Sequence, residues 1–401
     1  MKLPRLSLLS QICITHLISH IHMLVLPVLM PVMLLTRQDV DFIQIGFAIS
    51  VFNIVSAVVQ APVGFFVDRI GPKRVLLTGL IIGSLSFLSI GLIEHYIWLI
   101  IAMGIAGAAN AVYHPADYAI LSQNVTEKRM GRAFSLHTFS GYIGFAVTPT
   151  LMLTVSAFYN VGMAFIVSGV IGLIAVVILY PKARNEGRKK TEESQSIEHK
   201  ESTNKVSTKL PLMTPAIFFM LILFLLLSLS GGSIQNFSVS ALVTGYHISL
   251  ADANVALTAF LVASAVGVLV GGQLADYSSR HGFIATAALA VTALLAVLVA
   301  LLSVSSTLII TLIIGVMGFL SGLIAPSRDM LVRNISPKGA EGRVFGIVST
   351  GFNIGGTIGP VLFGWILDQN SPRGIFWCTA IFMALTAMIA FYQEIKGTKR
   401  Q

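Results

Sequence analysis

Residues 133–181 read AFSLHTFSGYIGFAVTPTLMLTVSAFYNVGMAFIVSGVIGLIAVVILYP, forty-nine consecutive positions without Asp, Glu, Lys or Arg. A helix that crosses a bilayer needs about 20 mostly apolar residues. The run therefore holds two such helices, divided where polarity returns at Tyr159-Asn160. Nine more uncharged runs accompany it: 6–36, 42–67, 75–93, 95–116, 210–251, 253–275, 281–327, 344–367 and 374–393. The 281–327 run also holds two helices, split near Ser303–Ser306, and each of the others holds one. The expectation is an all-α membrane protein with twelve transmembrane helices. The chain has 401 residues, 55% apolar and only 11% charged. A soluble domain so poor in charge could not cover its surface, since ordinary soluble proteins are roughly a quarter charged. Disordered chains are polar and charged, and a membrane β-barrel would read as short alternating segments, so both are excluded.

The net charge of +9 suggests a polyanionic partner until its placement is read. Following the chain through the predicted spans, 24 of the 26 Lys and Arg residues fall on one side, and only Arg37 and Arg373 fall on the other. Positive charge concentrates on cytoplasmic loops. The basic balance thus reports orientation, with both termini in the cytoplasm of a cell whose inner (plasma) membrane holds the chain, and no nucleic-acid partner is expected. The first apolar stretch is too long for a signal core and lacks a small-residue cleavage site, so no cleavable signal is expected. Cys13 and Cys378 both sit inside predicted helices. Neither a disulfide framework nor a structural zinc site follows from two such residues, and no cofactor is expected.

One hydrophilic stretch interrupts the pattern. From Pro181 to about Lys209 the mixed charges of KARNEGRKKTEESQSIEHKESTNKVSTK read as a flexible connector. It divides the chain into an N-terminal six-helix bundle (1–180), a cytoplasmic linker (181–210) and a C-terminal six-helix bundle (211–401). The halves resemble one another. Pro115 and Pro326, Gly131-Arg132 and Gly342-Arg343, Phe134 and Phe345, Gly144 and Gly355, and Pro149 and Pro360 are each 211 residues apart. Gly64 and Gly272, and Asp68 and Asp276, are 208 apart. Two parallel six-helix halves related by an axis along the membrane normal are a transporter architecture.

Both loops that match at the second offset carry a motif. The first is Gly64-Phe65-Phe66-Val67-Asp68-Arg69-Ile70-Gly71-Pro72-Lys73-Arg74 and the second is Gly272-Gln273-Leu274-Ala275-Asp276-Tyr277-Ser278-Ser279-Arg280. They resemble the G-x-L-A-D-R-x-G-R-K signature of the major facilitator superfamily, and with twelve helices and a long central loop the resemblance covers essentially the whole chain. Phe66 and Pro72 depart from it in the first copy, and Ser279 stands where a glycine is usual in the second. Physically, Gly64 allows close helix approach, and Asp68 can hold cationic side chains or the positive end of a helix. The resemblance implies a gate on the cytoplasmic side built from Gly64, Asp68, Arg69, Gly71, Lys73, Arg74, Gly272, Asp276 and Arg280. In it Asp68 meets the start of the eleventh helix near Gly342-Arg343, and Asp276 meets the start of the fifth near Gly131-Arg132. The segments SHIHMLVLPVLMP and YHPAD also resemble a bacterial branch that includes fosmidomycin-resistance-type exporters.

The same resemblance implies that the first, fourth, seventh and tenth helices line a central cavity. Intramembrane polar groups mark such pathways. The first helix offers His16 and His20, four residues apart and so on one face, with His22 pointing elsewhere. The fourth offers Asn110, Tyr113, His114 and Asp117 around Pro115, whose ring frees a carbonyl in the preceding turn. The seventh offers Gln235 and Asn236, the tenth Arg328 and Asp329. These are the substrate- and proton-binding candidates. Asp117 and Arg328 are 211 apart, which suggests an ion pair across the cavity; a local pair of Arg328 with Asp329 is the alternative. A metal site from His16, His20 and His114 with Asp117 would need convergent geometry, and none is expected. Met103 stands where many proton-coupled exporters of this family carry an arginine. The glycine–proline pattern of the fifth helix is partial (Gly141, Gly144, Pro149), with a fuller version in the eleventh.

The resulting expectation is a monomeric secondary active transporter that moves a small organic solute by alternating access, with H+ as coupling ion and export by antiport, or else uptake of an organic anion. There is no G-x-x-x-x-G-K-[ST] loop for ATP. A lipid-active membrane enzyme would need a nucleophile or metal constellation that the sequence lacks. A transporter-shaped sensor or assembly protein would use the linker as its docking segment, and a metal-ion transporter is the remaining alternative.

Overall fold

The computed structural model describes residues 7–37, 39–125, 127–193, 214–277, 280–302, 306–335 and 341–398, with no strand among them. The described helices are α1 (Leu8–Thr36), α2 (Phe42–Ile70), α3 (Pro72–Leu92), α4 (Tyr96–Asn110), α5 (Tyr113–Asn124), α6 (Glu127–Phe158), α7 (Val161–Glu193), α8 (Pro215–Tyr246), α9 (Leu250–Tyr277), α10 (His281–Leu301), α11 (Thr307–Ile335), α12 (Glu341–Asp368) and α13 (Arg373–Thr398). Eleven described spans are long and apolar enough to cross a membrane, and Val161–Val177 is a shorter apolar helix that supplies the twelfth crossing. The chain is thus an all-α, twelve-crossing protein. Large apolar side chains such as Val177, Leu294 and Leu312 are exposed on its flanks, as a hydrocarbon solvent allows.

Crossing four is made of two pieces. Pro115 has no N–H to give the Ala111 carbonyl, so α4 stops at Asn110, Ala111-Val112 turns, and α5 starts afresh at Tyr113. α7 shows the opposite behaviour. It runs on past Pro181 to Glu193, so the first part of the expected flexible connector is helical. That stretch mixes helix-forming residues with Glu186 placed four before Lys190, a spacing that supports a helix. Residues 194–213 of the connector lie outside the described residues.

The repeat seen in sequence is a repeat in packing. In the first half α1 lies on α6, α3 on α7 and α2 on α4; in the second, α8 lies on α12, α10 on α13 and α9 on α11. The close approaches repeat as well. A Cβ on Gly107 would run into the backbone carbonyl of Phe52, and one on Gly318 into that of Phe260. These pairs reproduce the 211 and 208 offsets. Small residues let transmembrane backbones touch in this way.

α2 packs on α12 and α6 on α9 across the two halves. The best-resolved contact is at the end of the bundle opposite the linker, hereafter the far end. There the Asp368 carboxylate accepts hydrogen bonds from the first two N–H groups of α2, Phe42 N (3.1 Å) and Ile43 N (2.8 Å). These donors have no intrahelical partner, and a carboxylate at a helix N-terminus also meets the positive end of its dipole. Asp41 and Gln44 close the same terminus with a capping box. Deeper along the seam, Ser50 Oγ donates to the Thr357 carbonyl (2.7 Å) and Asn53 Nδ2 to that of Gly356 (2.7 Å). Gly46 faces the Pro360 carbonyl, leaving no room for a side chain. Hydrogen bonds to a charged group contribute about 2 kcal/mol each, so Asp368 is a large part of this clasp. Asp368→Ala is expected to loosen it. A cysteine reporter at Ser50, in a background without Cys13 and Cys378, should then react several-fold faster with an aqueous maleimide; an unchanged rate would show that the seam holds without Asp368.

Candidate functional site

The first-half cluster forms around Asp117. α1 brings His16 and His20 on one face, α5 brings Asp117 one turn after its start, and α6 brings His137. Asp117 Oδ2 lies 2.9 Å from His137 Nε2 and 3.5 Å from His16 Nδ1. The first is a hydrogen bond and the second is a contact too long to be one. The His16 and His137 rings stack with centroids 3.7 Å apart and planes at 26°. His20 and His114 stand 4.5 and 5.5 Å from the His16 ring. Asp117 is fully buried (0% exposed), and His16 and His137 nearly so, whereas His114 is exposed. Among the described residues Asp117 Oδ1, His16 Nδ1, His20 Nδ1 and the Tyr113 hydroxyl are buried without a hydrogen-bond partner. A carboxylate in an apolar surrounding is costly unless neutralised and hydrogen-bonded. The His137 imidazole supplies a hydrogen bond, and the orphaned atoms leave capacity for one more proton.

The ligand atoms of His16, Asp117 and His137 lie within 4.8 Å of one another, as a metal site would require. The stacked rings argue against chelation. Imidazole lone pairs lie in the ring plane, and two nearly parallel planes 3.7 Å apart do not meet at one ion. The arrangement suits a shared proton better.

The second-half cluster is built the same way with the charge reversed. Arg328 of α11 rests over two aromatic rings, its Cζ 4.8 Å from the Phe224 centroid on α8 and 5.1 Å from that of Phe352 on α12. The rings touch, with centroids 4.6 Å apart. Arg328 Nε donates to Asp329 Oδ1 at 2.9 Å, and Nη2 lies 2.8 Å from the same oxygen as an ion pair. The expected Asp117–Arg328 pair is therefore not made in this structure. Each charge is met within its own half, and the local Arg328–Asp329 alternative holds. Adjacent residues reach each other at no conformational cost, and imidazoles on α1 and α6 already crowd Asp117. By the two offsets Phe224 occupies the place of His16, and Phe352 that of Gly141, one turn from His137.

The other expected residues divide. Asn110 Nδ2 donates to Ser56 Oγ (3.1 Å), tying α4 to α2. Gln235 and Asn236 are half-buried on α8, beyond Gly231 and Gly232, whose added Cβ atoms would meet little or nothing within 4 Å. His22 turns away, its Nε2 3.2 Å from the Ser168 carbonyl and its ring on Phe87. Of the gate residues, Gly71 joins α2 to α3 at φ 94°, a left-handed conformation that favours glycine. Lys73 lines a small apolar recess with Leu8, Ile12, Thr15 and Ile120. Arg69, Arg74 and Arg280 are exposed, and Gly272 has open space around it. The surroundings of Gly64, Asp68, Arg132, Asp276 and Arg343 lie outside the described residues. Sequence reasoning missed His137 as a partner of Asp117, and missed Phe224 and Phe352. The repeat offset, applied to His16, would have pointed to Phe224.

Two six-helix halves with polar clusters at matched positions in their cores define a membrane carrier. The family model of the Major Facilitator Superfamily matches residues 12–233 and 221–401, and the chain belongs to that family. It is a transporter, not an enzyme, and a multi-pass membrane protein. It is 24% identical over 396 residues to the Fosmidomycin resistance protein of Escherichia coli (strain K12), covering 96% of this chain and 92% of that one. It is 24% identical over 395 residues to Multidrug resistance protein 2 of Bacillus subtilis (strain 168), covering 97% and 95%. Its fold resembles a bacterial homolog of the human lysosomal transporter Spinster in an inward-facing, occupied conformation, with a TM-score of 0.75, 13% identity and 97% of each chain covered. Because Asp117 and Arg328 each have partners in their own half, exchanging them (Asp117→Arg with Arg328→Asp) is expected to be no better than either single variant. Recovery of folded, active protein in the double variant would restore the cross-cavity pair.

Proposed function

We propose that this protein is a proton-coupled exporter of a small organic solute, working as a monomer in the inner membrane with its termini and linker in the cytoplasm. Its two six-helix bundles, 1–180 and 211–401, would rock about the central clusters. The observation that carries this reading is Asp117, wholly buried between two imidazoles with one of its oxygens unpartnered. A buried ionisable group in a membrane core marks a proton or solute pathway. Proton uptake at Asp117 would loosen its hold on His137 and so couple to movement of α1 against α6. The far-end clasp of Asp368 on α2 is what a state closed to the outside requires. Outward transport is supported by the names of relatives: the Fosmidomycin resistance protein, Multidrug resistance protein 2, and the Multi-drug resistance efflux pump PmrA homolog of Lactococcus lactis, 21% identical over 362 residues. The concentration of Lys and Arg on the linker side supports a cytoplasmic linker end.

Everted membrane vesicles acidified inside test this. They should accumulate a compound to which the protein confers resistance, fosmidomycin being the first to try, and collapse of the pH gradient should abolish accumulation. Asp117→Asn is expected to lower gradient-driven accumulation more than tenfold while leaving solute counterflow without a gradient largely intact. Accumulation indifferent to the gradient, or to Asp117→Asn, would remove the proton-coupled reading.

A further inference from the structure

We propose that Arg328, seated on Phe224 and Phe352, is the binding group for the solute, and that the solute is an organic anion: a carboxylate or phosphonate head on an apolar body. Asp329 is then the internal anion that shares the guanidinium with the solute, which takes the edge Asp329 leaves free. This deepens the transporter reading and rests on it.

The argument begins with cost. A guanidinium is always charged, and one at this depth in an apolar bundle is kept for a reason. Asp329 neutralises it but does not saturate it. An arginine carries five N–H donors in a planar fork. Nε spends its one N–H on Asp329 Oδ1, and Nη2 lies in ion-pair contact with the same oxygen. Among the described residues the edge formed by Nη1 and Nη2 has no partner, and that edge is the one that receives a carboxylate or phosphonate through two parallel hydrogen bonds. The pair also stays reachable, with the Arg328 and Asp329 side chains 20% and 45% exposed. A purely structural ion pair in a bundle core would be covered.

The aromatic seat adds two properties. The rings cover one side of the guanidinium, attract it through their π faces, and hold its plane. An arriving anion then meets an oriented fork and not a mobile side chain. They also give the solute's carbon skeleton an apolar surface beside its charged head. Space for that skeleton exists along α8, where Gly231 and Gly232 face nothing or almost nothing within 4 Å of an added Cβ. Gln235 follows Gly231 one turn on, half-buried, on the same face as Phe224 and Ser228 by helical spacing.

The repeat explains why the site has this sign. Helix for helix, the first half holds a carboxylate between imidazoles and the second half holds a guanidinium on phenyl rings. The first arrangement suits a proton, and the second suits an anion whose charge a proton would offset during transport. Asp329 keeps a negative partner beside Arg328 throughout, so the solute can leave without stranding a bare charge, and binding need not be tight to be specific.

Binding to the purified full-length protein in lipid nanodiscs tests the inference, with benzoate and phenylphosphonate as probes and benzylamine and benzyl alcohol as their cationic and neutral counterparts. The two anions are expected to raise the melting temperature, and the amine and the alcohol are not. Arg328→Gln should weaken anion binding at least tenfold, with Arg328→Lys intermediate. Asp329→Asn should tighten it several-fold by removing the negative charge beside the incoming anion, a result that general damage to the fold would not produce. Replacing both Phe224 and Phe352 by Leu should weaken phenylphosphonate binding. No stabilisation by either anion, equal binding in Arg328→Gln, or stabilisation by benzylamine instead would overturn the proposal. Arg328-dependent binding without any vesicle flux would sink the transporter reading and spare the site, whereas gradient-driven flux unchanged in Arg328→Gln would sink the site and spare the reading.

Discussion

Hydrocarbon offers no hydrogen bonds, and that constraint shapes the whole molecule. Backbone groups must be satisfied within each helix, so the described chain is helical wherever it crosses. Most hydroxyls obey the same rule by bonding back to a carbonyl of their own helix, as Thr148 does to Gly144, Thr292 to Ala288 and Thr386 to Phe382. What remains is a short set of polar side chains whose partners are on other helices. Asp117 with His16 and His137, and Asp368 with α2, are in that set. Arg328, met by its own neighbour and by two rings from other helices, joins it. They are conspicuous because everything else has been settled locally.

These groups sit in two layers. At the far end, Asp368, Ser50 and Asn53 stitch α2 to α12 through backbone atoms, so the seam is specific to that register and can part as a unit. Nearer the linker, each half carries a charge on its broken or proline-bearing helix, held by side chains from the two helices packed against it. The duplication preserved the frame, and substitution reversed the charge: histidines around an aspartate in one half, phenylalanines beneath an arginine in the other. A duplicated carrier needs no exact symmetry of side chains, only of backbones.

Much of this was legible in the residues themselves. Uncharged runs give the crossings because their length must match a bilayer, and the 211 and 208 offsets give the two halves because close-approach glycines and prolines repeat with them. Pro115 marked the break in crossing four, since a proline's missing N–H is a local fact. The central connector was read too simply. Its charges signal water, but water-exposed residues with good helix propensity still continue a helix, and α7 carries on to Glu193.

Sequence by itself determined the class of solvent, the number of crossings, the duplication and the inventory of buried polar groups, because each depends on composition and spacing along one chain. The tertiary structure decided who meets whom. The 211 offset made Asp117 and Arg328 equivalent, and equivalence was mistaken for contact; the helices instead bring His137 to one and aromatic rings to the other. Pairing across a bundle depends on helix rotation and depth to within a fraction of a turn, set by all the packed side chains together, and no local pattern records it.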